Sequence, residues 1–370
     1  MKNIIRTGLD YYLGLTKNVY QNILSRVTHK LPAVEWIVYE VTDACNSRCK
    51  HCNIWQEKPT KDMLTAKELE TILKNDFFHQ VKHVLLTGGE PVLKNDIKEI
   101  ITAIHNAIPQ TQMGLSTNAL LPDRVLAVLK YAIDHNICLS VGISLDAIGE
   151  KHDWIRGVKG NFRKVDYLIR ELIKLKEQYN DKMGEIVIGH TISNLTVDTL
   201  KEVLNYTKEL KVGFLTQLYE EFDYYHNVNK DKSDNLESYQ SSDNRALINE
   251  IKKLPPSFHH EILLYALRHR LRYKCDAMRT FFVMKCNGDV APCLQYNNIR
   301  VGNLKLQSPD EIWHSEAAWN ARKVIRNCKG CSNSWAANWS YTRWLLPFWK
   351  LIITLQVKKI LHKITKVALI

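Results

Sequence analysis

Short apolar runs and helical patterns alternate through the middle of the chain. Residues 34–41 (VEWIVYEV) form a continuous run of strand length rich in β-branched residues. Five more runs follow at 83–89 (HVLLTGG), 113–118 (MGLSTN), 138–146 (CLSVGISLD), 185–193 (EIVIGHTIS) and 212–219 (VGFLTQLY). Between them, 66–74, 96–107, 123–135, 162–179 and 197–210 carry the three-and-four spacing of a helix with one apolar face. Strands alternating with helices build βαβ units and a parallel sheet. Six such units predict an α/β fold, an open partial (β/α)6 TIM barrel, whose ligands bind at the carboxyl ends of the strands.

The flanks read differently. Residues 4–31 repeat Ile5, Leu9, Tyr12, Leu15, Val19, Ile23 and Val27 on one helix face. Near the other end, Ile353, Val357, Ile360, Leu361, Ile364 and Val367 share a face, preceded by Trp344, Phe348 and Trp349. Pro347, Lys350 and the Lys358/Lys359 pair interrupt the apolar run, which is too short to span a bilayer. Both ends have the pattern of an interfacial amphipathic helix, with docking onto the protein itself as the alternative. Residues 220–262 are polar and tyrosine-rich, and a further helical pattern covers 261–273. The expected organisation is a basic helix at 1–33, a barrel at 34–262, a cysteine-rich region at 263–335 and a second basic helix at 336–370.

The formal net charge of the 370-residue chain is +12, which invites a nucleic-acid reading. Residues 1–33 contribute +4 and residues 334–370 contribute +6, so the body is nearly balanced. No aromatic–basic interleaving surrounds the cysteines, and no nucleic-acid partner is expected. The start lacks the apolar core and cleavage site of a secretory signal. Nine cysteines, an odd number, then speak for metal or redox chemistry in a reducing cytoplasm rather than a disulfide framework.

Three of them, Cys45, Cys49 and Cys52, stand in "CNSRCKHC" just after the first strand. Strand alternation would split thiols at this spacing between two faces, so a loop must present them together. Thiolates favour zinc or iron–sulfur, and structural zinc would want a fourth ligand close by. His51 is adjacent to Cys52 and is poorly placed to reach the same ion. A cluster with one iron left open explains the incomplete set. Gly88, Gly89 and Glu90 follow the second strand as "GGEP". The glycines permit close backbone approach, and the carboxylate offers an acceptor for a charged donor.

These two motifs together resemble the C-x3-C-x2-C signature and GGEP turn of the radical S-adenosylmethionine (SAM) superfamily. The resemblance implies that Cys45, Cys49 and Cys52 bind a [4Fe–4S] cluster and that SAM chelates its open iron. Glu90 would meet the SAM ammonium. Ser116, Thr117, Asn118, Ser144 and Asp146 would serve the ribose and methionine parts, Arg156 of "HDWIRG" the SAM carboxylate, and Ile192, Asn194 and Leu195 the adenine. His190 reads as a core histidine. The later cysteines, with "NGDVAPC", "VGNL" and "EIWHS", resemble the SPASM/Twitch extension of the same superfamily. Cys275, Cys293, Cys328 and Cys331 would then hold an auxiliary [4Fe–4S] cluster, with zinc as the alternative, and Cys286 would be a spare thiol or a ligand swap.

The implied activity is reductive cleavage of SAM to a 5′-deoxyadenosyl radical and hydrogen abstraction from an unactivated C–H. Net oxidation or bond formation on a sugar, lipid-linked or peptide substrate would follow, making the enzyme an oxidoreductase. A SPASM-type peptide maturase is one alternative; a zinc-stabilised nucleic-acid-binding protein is one from another class. Flavodoxin or ferredoxin is the expected electron donor, and the cytoplasmic face of the inner membrane the expected place. Tyr219, Glu220, Glu221 and Asp223, just after the sixth strand, are the candidate acid/base or substrate-orienting groups.

Overall fold

The computed structural model describes residues 30–228, 245–253 and 274–328, with Glu261, Leu263, Leu264, Leu267, Gly330, Cys331 and Ser340. The two basic ends and the greater part of the helix expected at 261–273 lie outside the described residues. Among the described residues no helix is long and apolar enough to cross a membrane.

Six parallel strands form in the expected places. They are β1 (Trp36–Thr42), β2 (His83–Gly88), β3 (Gln112–Thr117), β4 (Leu139–Ser144), β5 (Ile186–Ile192) and β6 (Gly213–Leu218). Each pairs in parallel with the next in sequence. Helices α1 (Ala66–Leu73), α2 (Ile97–Ala107), α3 (Pro122–Asp134), α4 (Glu150–Arg156), α5 (Asn161–Tyr179) and α6 (Leu200–Glu209) lie in the connections. Local chemistry sets several starts. Thr65 and Glu68 close a reciprocal capping box on α1, and Pro122 occupies the first turn of α3, where its missing N–H costs nothing.

The strands are two-faced. Ile37, Tyr39 and Val41 of β1, with Val84, Leu86, Leu115, Val141, Ile143 and Ile188, pack into the main core together with helix residues such as Ile100, Leu129 and Leu168. The opposite face carries small side chains toward the strand ends. Ser116 lies beside Gly142, which lies beside Val187; Ser144 lies beside Gly189. A Cβ added at Gly142 or Gly189 would meet nothing closer than 3.9 Å, so this face has room.

Two features depart from the pattern-based expectation. First, the cysteine-rich region is not a detached unit. Its hairpin strand β7 (Phe281–Met284) pairs in parallel with β1, Trp36 opposite Phe281 through Tyr39 opposite Met284. Strands β8 (Asp289–Ala291) and β9 (Gly302–Asn303) extend the same sheet, giving the order β6-β5-β4-β3-β2-β1-β7-β8-β9 among the described residues. Second, the polar stretch after β6 contains a helix, α7 (Arg245–Lys252), whose Leu247 and Ile251 are buried against Ile192 and Leu200. Helices α8 (Pro309–His314) and α9 (Glu316–Asn327) complete the C-terminal part.

Candidate active site

The thiol loop is pinned from three sides. From β2, Gly89 N donates to Thr42 O (2.6 Å) and Glu90 N to Ala44 O (2.8 Å). From α4, the carbonyls of Ile155 and Arg156 accept from Lys50 N (2.9 Å) and Arg48 N (3.0 Å). Ser47 Oγ also donates to Arg156 O (3.0 Å) and lies 3.1 Å from Cys49 Sγ. From the segment after β6, Tyr225 O accepts from Asn53 N (2.8 Å) and Asn227 Nδ2 donates to His51 O (3.2 Å). The glycines are explained by this packing. A Cβ on Gly88 would overlap the Thr42 carbonyl, one on Gly89 the Ala44 carbonyl and one on Gly157 the Arg48 carbonyl. Gly88 and Gly157 also have positive φ. All three let the thiol loop itself come close.

Glu90 is buried, with neutral donors on both oxygens: Thr117 Oγ1 at 2.9 Å and Asn118 N at 2.7 Å. Burial pushes its carboxyl up to about 7, against the pull of these hydrogen bonds. Glu90 therefore ties the end of β2 to the end of β3. Asn118 continues the chain of contacts, donating through Nδ2 to Asn46 Oδ1 (2.8 Å) with Cys45 Sγ 3.9 Å away.

Asp146 and Arg156 take different partners from those expected. Asp146 is fully buried, with Arg156 Nη2 2.7 Å from Oδ2, and Thr191 N donates to Oδ1 at 3.1 Å. Burial works to raise the Asp146 carboxyl, but the Arg156 charge, with smaller help from His51, outweighs it and holds the group well below the usual range. Its carboxylate is committed to the protein and not open to a ribose. Arg156, expected at the SAM carboxylate, is buried beside Asp146, with Nη1 3.7 Å from Cys49 Sγ. The "HDWIRG" segment is thus a brace for the thiol loop. His51 lies 3.9 Å from Asp146, and burial brings its ring down to about 4.

The remaining expected SAM contacts divide. Ser116 and Ser144 are half-buried on the open inner face. Leu195 N bonds Ser193 Oγ (3.2 Å) in the turn after β5, and Asn194 is exposed there. Ile192 is buried in the cluster under α7, away from the open face, because alternation along β5 sends it there. His190 is the satisfied core histidine expected, 3.3 Å from both Thr216 Oγ1 and Thr199 Oγ1.

Of the post-β6 candidates, Tyr219 is buried with its hydroxyl accepting from Asn227 Nδ2 (3.1 Å). Glu220 and Glu221 are half-buried, and Asp223 lines a cleft described below. The side chain that reaches the glycine turn is Tyr224. Its hydroxyl donates to Gly88 O (2.8 Å), accepts from Gly88 N (3.0 Å) and meets Thr87 Oγ1 (3.0 Å). Its backbone N donates to Leu294 O (3.1 Å), next to Cys293. An aromatic-rich segment following a barrel strand was the available signal; which ring turned inward was not.

The second cysteine set gathers from distant positions. Cys293 lies within electrostatic range of Cys331, Cys328 and Cys275. Burial first, then Cys331, pushes the Cys293 thiol up to about 12. Cys286 sits elsewhere, buried against Thr60 and Asp43. Cys45, Cys52 and Cys331 pack against one small apolar cluster that includes Val38, Ile54, Phe222 and Tyr224. Among the described residues no three His, Cys, Asp or Glu side chains converge on one ion position.

Comparison with known proteins agrees with this architecture. The model of the radical SAM superfamily matches residues 39–204, and that of the SPASM iron–sulfur cluster-binding domain matches 275–332. A GTP 3′,8-cyclase of Alkaliphilus oremlandii is 33% identical over 147 residues, 38% of this chain and 44% of that protein. The sporulation killing factor maturation protein SkfB of Bacillus subtilis is 25% identical over 166 residues, 45% of this chain and 37% of that one. The alignments thus span less than half of these relatives. Among solved structures, anSMEcpe with bound AdoMet has a TM-score of 0.58 at 20% identity, covering 80% of this chain and 84% of that one. SuiB of Streptococcus suis bound to S-adenosylmethionine has a TM-score of 0.58 at 19% identity, covering 88% and 78%. The fold and the match to both domains define an enzyme that uses SAM and [4Fe–4S] clusters. The chain belongs to the radical SAM superfamily and carries a C-terminal SPASM domain.

Proposed function

We propose that this enzyme performs radical-initiated oxidation or bond formation at an unactivated C–H of its substrate. When bound, a [4Fe–4S] cluster supplies the single electron that cleaves SAM to the 5′-deoxyadenosyl radical, which abstracts the substrate hydrogen. Cys45, Cys49 and Cys52 hold that cluster, and the three-sided bracing of their loop is the observation that carries the reading. Burial first, then neighbouring negative groups, pushes the Cys45 thiol up to about 11 and the Cys52 thiol well above its ordinary range, so their thiolate form needs a positive counterpart such as iron. Gly88, Gly89 and Glu90 hold the loop against β2 and present the turn that receives the SAM amino group. Ser116, Asn118, Ser144 and Leu195 border the space for the rest of SAM.

Cys275, Cys293, Cys328 and Cys331 hold the auxiliary cluster, and Cys286 takes no part. Tyr219, Glu220, Glu221 and Asp223 orient the substrate from the segment that also touches the thiol loop. A flavodoxin or ferredoxin supplies the electron. The boundaries 1–33, 34–262, 263–335 and 336–370 remain our assignment of the parts. The two basic ends would rest on anionic lipid, a reading supported by their amphipathic sequence pattern.

The test is anaerobic iron, sulfide and zinc analysis of reconstituted protein. About eight irons, two clusters of four, with negligible zinc support the reading. About four irons with stoichiometric zinc would reassign the second set to zinc.

A further inference from the structure

A cleft of about 280 Å³ lies where the post-β6 segment meets the C-terminal hairpin region, lined by Asp223, His226, Val228, Lys285, Asn297 and Asn298. None of the residues proposed to hold SAM lines it. Asn297 is only 5% exposed, yet its Oδ1 has no hydrogen-bond partner. Behind it, Glu40 of β1 is 8% exposed, with Oε1 likewise unpartnered. The Asn297 side chain bonds the Glu40 carboxylate, and the Lys285 charge also acts on it. An amide donates only through Nδ2, so that bond leaves Oδ1 free to accept. Two buried, unused acceptors at one place cost free energy unless something supplies donors.

The lining decides what the donor is. With Asp223 and Lys285 charged the lining is neutral, and the site takes one net negative charge when Glu40 behind it loses its proton. His226 is turned to Glu57, 3.4 Å away. A hydroxyl would bring one donor and no charge. A divalent ion would be opposed by Lys285 beside the same carboxylate. A primary ammonium brings three donors for the acceptors of Asn297 and Asp223, and its positive charge favours the ionised form of the buried Glu40 behind them.

We propose that this cleft is an anchor subsite for a primary ammonium group of the substrate, carried by a lysine side chain or an amino sugar. It deepens the radical-enzyme reading and rests on it for the word substrate. The site sits on the segment that continues into Tyr224 and Asn227, which contact the glycine turn and the thiol loop. An anchored group would therefore be held at a fixed offset from the reacting centre.

The experiment is calorimetric titration of the anaerobic holoenzyme with n-propylammonium, with n-propanol and propionate as neutral and anionic controls. Saturable binding of the ammonium alone is expected, weakened at least about tenfold, or 1.4 kcal/mol, by Asn297→Leu and by Asp223→Asn. A lysine-containing pentapeptide and glucosamine then distinguish the two sources by which binds more tightly. Iron content and melting temperature report folding; if Asn297→Leu loses iron, the isosteric Asp223→Asn decides. No saturable binding, equal binding of propanol, or unchanged affinity in Asp223→Asn would overturn the proposal. Iron content and SAM cleavage without substrate are read separately, so failure here leaves the radical reading standing or falling on its own.

Discussion

The two cysteine sets are built in opposite ways. Cys45, Cys49 and Cys52 sit on one short loop whose backbone is bonded to β2, to α4 and to the post-β6 segment. Cys275, Cys293, Cys328 and Cys331 come from both sides of the hairpin and from beyond α9, and the chain must close before they meet. Yet Cys45, Cys52 and Cys331 share one apolar cluster. The first site therefore carries its ligands on one loop braced from outside, the second gathers its ligands only by long-range closure, and one patch of packing joins them. A defect in the first should stay local, whereas a defect in the shared patch should reach both.

The sharpest way to break this comparison is Gly89→Ala. The new methyl would overlap the Ala44 carbonyl and push the thiol loop off β2. Iron content should fall to about half, with the auxiliary site retained. Loss of all iron would mean that the two sites are not independent.

A smaller effect is expected at the brace. Arg156→Met leaves Asp146 charged, buried and unpaired, a destabilisation of about 3–5 kcal/mol. Adding Asp146→Asn removes that charge and should recover most of the loss in chemical denaturation. A double variant no more stable than the single would show that Arg156 acts chiefly through Cys49.

Next in size is Tyr224→Phe, which removes the hydroxyl bonded to both backbone groups of Gly88. About 1–3 kcal/mol should go from the clamp. SAM affinity, measured by equilibrium dialysis, should weaken several-fold while iron content holds. Unchanged SAM affinity would detach the post-β6 segment from the glycine turn.

The last effect is a pH trend from Glu40. Burial raises its carboxyl from the ordinary 4.5 to about 7, against the pull of Lys285 and Asn297. A raised acid favours folding fully below about pH 4.5, and that contribution is lost as pH rises through about 7. The change is at most about 3 kcal/mol. Glu40→Gln should flatten this part of the stability profile between pH 5 and pH 8. A ligand ammonium at Asn297 should flatten it too, by favouring the ionised form.

Much of this was legible in the sequence because it depends on period and spacing. The six strands stand where apolar runs of strand length stand, and the cysteine loop follows β1 as "CNSRCKHC" required. What was not legible depends on partners far along the chain. Nothing in "HDWIRG" says that Arg156 turns to Asp146 or that Gly157 must admit the Arg48 carbonyl. The strand of the second region reads as a local hairpin, and only the three-dimensional register shows β7 lying beside β1. Asn297 and Glu40 are ordinary residues in sequence, made unusual by being buried together with unused acceptors. Ile192 was assigned from the resemblance alone, and the structure puts its side chain in the cluster under α7.

The central claim is that the braced thiol loop holds the cluster that cleaves SAM. The most direct measurement is 5′-deoxyadenosine formed from SAM by anaerobically reduced, reconstituted protein, wild type against Cys49→Ala. Cys49 is buried, with Ser47 Oγ 3.1 Å and Arg156 Nη1 3.7 Å from its sulfur, so its loss leaves the loop no substitute ligand in that position. The account predicts 5′-deoxyadenosine from the wild type and none above background from Cys49→Ala, with the auxiliary irons still bound. Equal amounts of 5′-deoxyadenosine from both proteins would contradict it.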